Sequence, residues 1–134
     1  MALTLARAMV DEIIAHARQD VPNEACGIIA GKDGAATRLY RMTNVQASPY
    51  RYEMDGKEVL RLLRELDDRE EEFLVIYHSH THTEAYPSPT DVRLAAGWPD
   101  AHYVLVSLAD EPPPVRAFRI TDSEITEIDL RIVD

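Results

Sequence analysis

Ala6, Met9, Val10, Ile13, Ile14 and Ala17 recur at spacings of three and four. That pattern predicts an amphipathic helix over roughly residues 4–19, ended by the turn-forming "DVPNE" at 20–24. The pattern then changes. "ACGIIAG" is a short apolar run bounded by turn residues, and "GKDG" at 31–34 can return the chain into "AATRLYRMT", which predicts a β-hairpin. "NVQASPYRYEM" keeps neither period and reads as a loop. In "DGKEVLRLLRELDDREEE", Asp55 stands three residues before Glu58 as in a capping box. Val59, Leu62, Leu63 and Leu66 share one face of this second helix. The acidic run at 70–72 falls at its solvated end.

"FLVIYHSH" is continuously apolar until it ends in polar residues, as expected of a central strand covered on both faces with its C-terminal end open to a site. After it, "DVRLAAGW" has helical character and Pro99 closes it. "HYVLVSLA", "VRAFRIT" and "EITEIDLRIV" read as three further strands, with "ADEPPP" as the turn between the first two. The sum is one α/β (α+β) domain spanning residues 1–134: a mixed β-sheet flanked by two main helices and a shorter third.

Composition narrows the class. With 134 residues and 46% hydrophobic content the chain can bury one core. Twenty-four acidic against 14 basic residues give a net charge of -10, the wrong sign for holding nucleic acid or an anionic membrane. A protein or small-molecule partner is expected instead. One cysteine, Cys26, excludes an internal disulfide. The charges at Arg7, Asp11 and Glu12 break any signal-like apolar run, and a cytoplasmic location is the expectation. The apolar positions of the first helix suit either the core or a homodimer contact.

The chemistry concentrates in "HSHTHTEAYPSPTD", residues 78–91. Side chains two apart on a strand share a face, so His78 and His80 can aim two imidazoles at one point. His80 and His82 have the same spacing, and spacing alone does not choose. Ser88-Pro89-Thr90-Asp91 has the form of a helix start: a serine cap, proline at the first position and an acid at the third. That is an ordinary capped helix, yet a cap is also a rigid place from which to present a carboxylate. Two histidines and that carboxylate would make the three protein ligands of a catalytic zinc. His16 and His102 are read as ordinary structural or surface histidines, His82 as facing solvent or substrate, and Cys26 as a small buried residue. Glu24, at the start of an apolar strand where charge is usually avoided, is the candidate proton carrier; the alternative is a solvated turn residue.

These residues match a family. His78-Ser79-His80, seven residues, Ser88, two residues and Asp91, with Glu24 upstream in "NEACGIIAG", resembles the JAMM motif of MPN-type zinc metalloproteases, and most of all the compact prokaryotic Mec (CysO-cysteine peptidase) type. A register begun at His82 would set Arg93 at the aspartate position, so only His78 and His80 fit. The resemblance implies that His78, His80 and Asp91 bind one zinc ion, that Glu24 is general base and acid, and that Ser88 stabilises the oxyanion. Thr81 replaces a proline common in the family, which is expected to loosen the loop at 81–87. By the same resemblance the substrate is a ubiquitin-like sulfur-carrier protein, cut after its C-terminal Gly-Gly tail with release of cysteine. Two alternatives stand beside this: a deconjugating isopeptidase for lysine-linked ubiquitin-like proteins, and a non-catalytic interaction domain of the same fold.

Overall fold

The computed structural model describes residues 2–134. Its elements are β1 (Ala2–Ala6), α1 (Arg7–Asp20), β2 (Cys26–Lys32), β3 (Ala35–Met42), α2 (Gly56–Asp68), β4 (Glu72–His80), α3 (Pro89–Ala95), β5 (His102–Ser107), β6 (Val115–Thr121) and β7 (Glu124–Val133). The seven strands form one mixed sheet in the order β1-β7-β6-β5-β4-β2-β3. Only β1 with β7 and β4 with β5 run parallel.

The sheet separates two apolar layers by strand alternation. Ile29, Val75, Tyr77, Val104 and Val106 face one side, where Val10, Ile13 and Ala17 of α1 cover them. Cys26, Ile28, Ile76 and Leu105 face the other, against Leu62 and Leu66 of α2 and Ala95 of α3. The apolar face of α1 is thus core within the single chain. β4 is buried from Leu74 to His80, because both layers cover it. His78 and His80 share the parity of Ile76, so both fall on the α2/α3 side.

Two tight turns hold the hairpins. Asp33 and Gly34 have φ of 52° and 81°, and Asp122 and Ser123 have 52° and 66°; positive φ at both central residues gives the twist that flanking strands need. On the other side of β2, Gly27 lies opposite Tyr77 of β4. A Cβ there would overlap the Tyr77 ring, whose hydroxyl meets His16 Nδ1 at 2.7 Å.

Three expectations change. Residues 4–6 are strand rather than helix: Leu3 and Leu5 are buried, and the segment pairs with Asp129–Val133. Its period-2 leucines run straight into the helical repeat, and only the otherwise unpaired edge of β7 distinguishes them. Leu63 is 39% exposed, so the apolar face of α2 is narrower than predicted. Asp55 caps α2 through Lys57 N–H at 2.9 Å. Glu58, however, accepts from Thr43 N–H and Oγ1 at 2.9 and 2.7 Å and so closes no capping box; it ties α2 to the end of β3 instead.

Candidate metal centre

Parallel β4 ends at its carboxyl edge in His78 and His80, and α3 starts beside them. Ser88 caps that helix: its Oγ accepts from Asp91 N–H at 3.1 Å, while Asp91 Oδ2 accepts from Ser88 N–H at 2.8 Å. This reciprocal box fixes the carboxylate at the third helical position. Among the described residues, His78, His80 and Asp91 form the one cluster of metal-ligating groups, with one ligand atom from each within 4.8 Å of the others. All three side chains are buried.

The donors converge on one oxygen. His78 Nε2 and His80 Nε2 each lie 3.1 Å from Asp91 Oδ2. His80 Nδ1 meets the Glu84 carbonyl at 2.8 Å, and a carbonyl only accepts, so the ring proton belongs on Nδ1 and the Nε2 lone pair faces the carboxylate. Lone pairs opposed this closely repel unless a proton or a cation lies among them. Ligands about 2 Å from one tetrahedral ion stand roughly 3.3 Å apart, close to the separations here. Neither nitrogen of His78 has a hydrogen-bond partner among the described residues; its 3.1 Å contact lacks hydrogen-bond geometry. The residues present therefore fit a small divalent cation.

The electrostatics agree. Burial alone would raise the Asp91 carboxyl, but the His78 and His80 rings and the Ser88 N–H together hold it well below the usual carboxylate range. Burial works against a charged His80, yet a second proton on Nε2 would bond Asp91 while Nδ1–H keeps the Glu84 carbonyl, and together these outweigh burial and raise its pKa.

Glu24 reaches this site through sheet register. Cys26 pairs with His78 and Gly27 with Tyr77; continued outward, the same antiparallel count sets Ala25 against Ser79 and Glu24 against His80. Two bonds mark the Ala25–Ser79 step, from Ser79 N–H to the Ala25 carbonyl at 3.0 Å and from Ala25 N–H to Ser79 Oγ at 2.8 Å. The Glu24 side chain is buried and its Oε1 has no hydrogen-bond partner among the described residues. Burial pushes its pKa up to about 8, against the pull of His80 and with a further push from Asp91. A carboxyl titrating there can both take and return a proton near neutrality. It is not a solvated turn residue.

The remaining candidates separate cleanly. His82 is exposed and joins no donor cluster; its ring lies 6.4 Å from that of Tyr50. Cys26 is fully buried, and burial pushes its thiol up to about 12. His16 is a buried structural histidine held by Tyr77 and Asp20. Thr81 ties its loop to the segment at 44–54. Its Oγ1 donates to the Pro49 carbonyl at 2.9 Å, Ser107 Oγ donates to the Thr83 carbonyl, and the Tyr86 ring packs edge-on to Phe118 at 5.5 Å. These contacts anchor the loop at both ends and at Tyr86. One site residue escaped the sequence pattern: Tyr52, in the aperiodic loop, stacks on His78 with centroids 4.4 Å apart and planes at 28°.

Residues 6–121 match the family of prokaryotic homologs of the JAB domain. The chain belongs to that family. This JAB-domain protein is 47% identical to the CysO-cysteine peptidase of Mycobacterium tuberculosis over 98% of its own length and 92% of the relative's. It is 33% identical to the probable TtuB-protein conjugate cleaving protease of Thermus thermophilus over 71% and 64% of the two chains. Its fold superposes on the crystal structure of a JAB1/MPN domain protein from Archaeoglobus fulgidus with a TM-score of 0.67, at 17% identity and with both chains covered in full. Family membership and the complete donor set together make it a hydrolase of the JAMM metallopeptidase type. No helix among the described residues is long and apolar enough to cross a membrane.

Proposed function

We propose that this JAB-domain hydrolase is a zinc peptidase that cuts the bond after the C-terminal Gly-Gly tail of a small ubiquitin-like sulfur carrier, with cysteine as the released amine. The observation that carries the chemistry is the convergence of His78 and His80 on Asp91, with buried Glu24, whose Oε1 has no hydrogen-bond partner among the described residues, opposite His80 when the register of β2 on β4 is continued outward. The likeness to a CysO-cysteine peptidase over nearly the whole chain supports the substrate.

His78, His80 and Asp91 would hold the zinc ion, which when bound acidifies water and polarises the scissile carbonyl. Glu24 takes the proton of the attacking water at its carboxylate and returns it to the nitrogen of the leaving amine. Burial raises its pKa and a bound cation would lower it again, so the carboxylate can take the proton and still return it. Ser88 has its Oγ lone pair engaged by Asp91 N–H, which leaves the hydroxyl proton to donate to the carbonyl oxygen as charge develops there; such a donor is typically worth a few kcal/mol. His80 is kept in one tautomer by the Glu84 carbonyl.

Mass spectrometry of carrier–cysteine adducts, incubated with zinc-loaded protein and with or without a chelator, tests the reaction. Loss of 1 cysteine residue's mass from the adduct, abolished by chelator, is expected; adducts left intact by zinc-loaded protein sink the proposal. The likeness to a conjugate-cleaving protease favours a second reading with the same chemistry, cleavage of lysine-linked ubiquitin-like conjugates. Release of a protein lysine instead of free cysteine would decide for it.

A further inference from the structure

We propose that Asn44 is a positioning residue for hydrolysis: through the loop at 44–54 it fixes the backbone of Glu24 and thereby the aim of the buried carboxyl. The inference rests on the role proposed for Glu24 above.

The Asn44 amide uses its whole hydrogen-bonding capacity. Nδ2 donates to the carbonyls of Glu24 at 3.0 Å and Arg51 at 3.1 Å, while Oδ1 accepts from Gln46 N–H at 3.1 Å and Glu53 N–H at 3.0 Å. Two donors and two acceptors saturate an asparagine. Two carbonyls on one side and two N–H groups on the other also fix which way the amide points. The loop closes on itself around this side chain, with Asn44 bridged to Met54 and Val45 N–H bonded to the Glu53 carbonyl at 2.9 Å.

What the closed loop then touches is the site. Glu24 precedes β2, so no strand partner holds its backbone. The loop holds both polar groups instead: Glu24 N–H donates to the Ser48 carbonyl at 2.8 Å, and its carbonyl accepts from Asn44. One residue further on, the Pro49 carbonyl takes the Thr81 hydroxyl, and Tyr52 lies flat on His78. An unpaired carboxyl gains free energy by swinging out to water. A backbone clamped at both ends opposes that swing, and Asn44 is the group that makes the clamp.

Asn44→Asp is the sharper variant. It keeps the size and both acceptor contacts, but sets a carboxylate oxygen, which cannot donate and repels, against the carbonyls of Glu24 and Arg51. Asn44→Ala removes all four contacts, and if it fails to fold, Asn44→Asp alone decides. Backbone amide exchange followed by NMR on the zinc-loaded full chain reads the clamp directly. Exchange at Glu24 is expected to speed up by about tenfold or more, while Ala25, whose N–H bonds Ser79 Oγ, keeps its protection. On carrier–cysteine adducts, kcat should fall about 10- to 100-fold, the usual effect of disturbing a supporting shell, at unchanged KM and zinc stoichiometry. Unaltered exchange at Glu24 overturns the inference. So does a variant in which Glu24 and Ala25 lose protection together and KM and zinc binding fail with them, because that is general loosening. Wild-type protein that leaves the adducts uncut overturns the proposed function, and exchange at Glu24 against Ala25 then decides the role of Asn44 by itself.

Discussion

Replacing Glu24 by glutamine should change the stability of the metal-free protein in a way that depends on pH. Glu24 is 3% exposed and has a pKa near 8 in the folded chain, against 4.5 for an unperturbed carboxyl. At 1.36 kcal/mol per pH unit, that difference amounts to about 5 kcal/mol between the protonation states; water entering the site relaxes part of it, which leaves roughly 2–3 kcal/mol. The folded chain holds this proton and the unfolded chain does not between pH 4.5 and 8, so stability is fullest below 4.5 and falls as pH rises through that window. Glutamine carries no such proton. Urea unfolding followed by Trp98 fluorescence, with chelator present, should therefore show the two proteins similar near pH 5 and the variant more stable by about 2–3 kcal/mol near pH 8. Groups not coupled to Glu24 cancel in the difference; His80 is coupled to it, and the pull of its charge on the Glu24 carboxylate works against the gap wherever both are charged. Asp91 titrates well below the window. His16, whose pKa burial lowers, adds stability that is lost as pH falls, and it does so in both proteins. Added zinc should shrink the gap, since a nearby cation favours the carboxylate. Parallel stability curves across the window would refute the buried, proton-holding carboxyl.

Other outcomes follow from packing. Gly27→Ala sets a Cβ into the Tyr77 ring and displaces the hydroxyl from His16; overpacking at about 1–3 kcal/mol, with the lost buried hydrogen bond at about 1–3 more, should lower the urea midpoint, and a variant within about 0.5 kcal/mol of wild type would disprove the close approach. Tyr52→Leu removes the ring stacked on His78 and should weaken zinc binding about 10-fold or more in competition with a chelator, whereas Tyr52→Phe should bind as wild type; equal weakening in both would transfer the effect from the ring to the hydroxyl. Cys26, fully buried with its thiol pushed up to about 12, should resist thiol reagents at pH 8 until the chain unfolds, and prompt labelling of the native protein would contradict its burial.

Much of the protein was determined locally. The strands β4 to β7 and the helix α3 lie where period, turn residues and the Ser88 cap set them, because each signal acts within a few residues. That two histidines of equal strand parity and one cap carboxylate could share a metal was legible for the same reason, but the choice of His78 with His80 over His80 with His82 came from the resemblance to the JAMM motif, and the end of β4 at His80 gives it its physical basis. The tertiary structure decided what local signals cannot carry. β1 exists because β7 has an edge to pair, and its leucines alone blend into the helical repeat. The choice of Glu24 among 24 acidic residues follows, in physical terms, from the register of β2 on β4, which sets it opposite His80 and out of water. Tyr52 and Asn44 sit in a segment with no period, and the Glu84 contact is made by a backbone carbonyl, which any residue type would offer. Their contribution lies in contacts 20 or more residues away for Tyr52 and Asn44, and for Glu84 in the shape of a loop pinned from outside, and sequence pattern records neither.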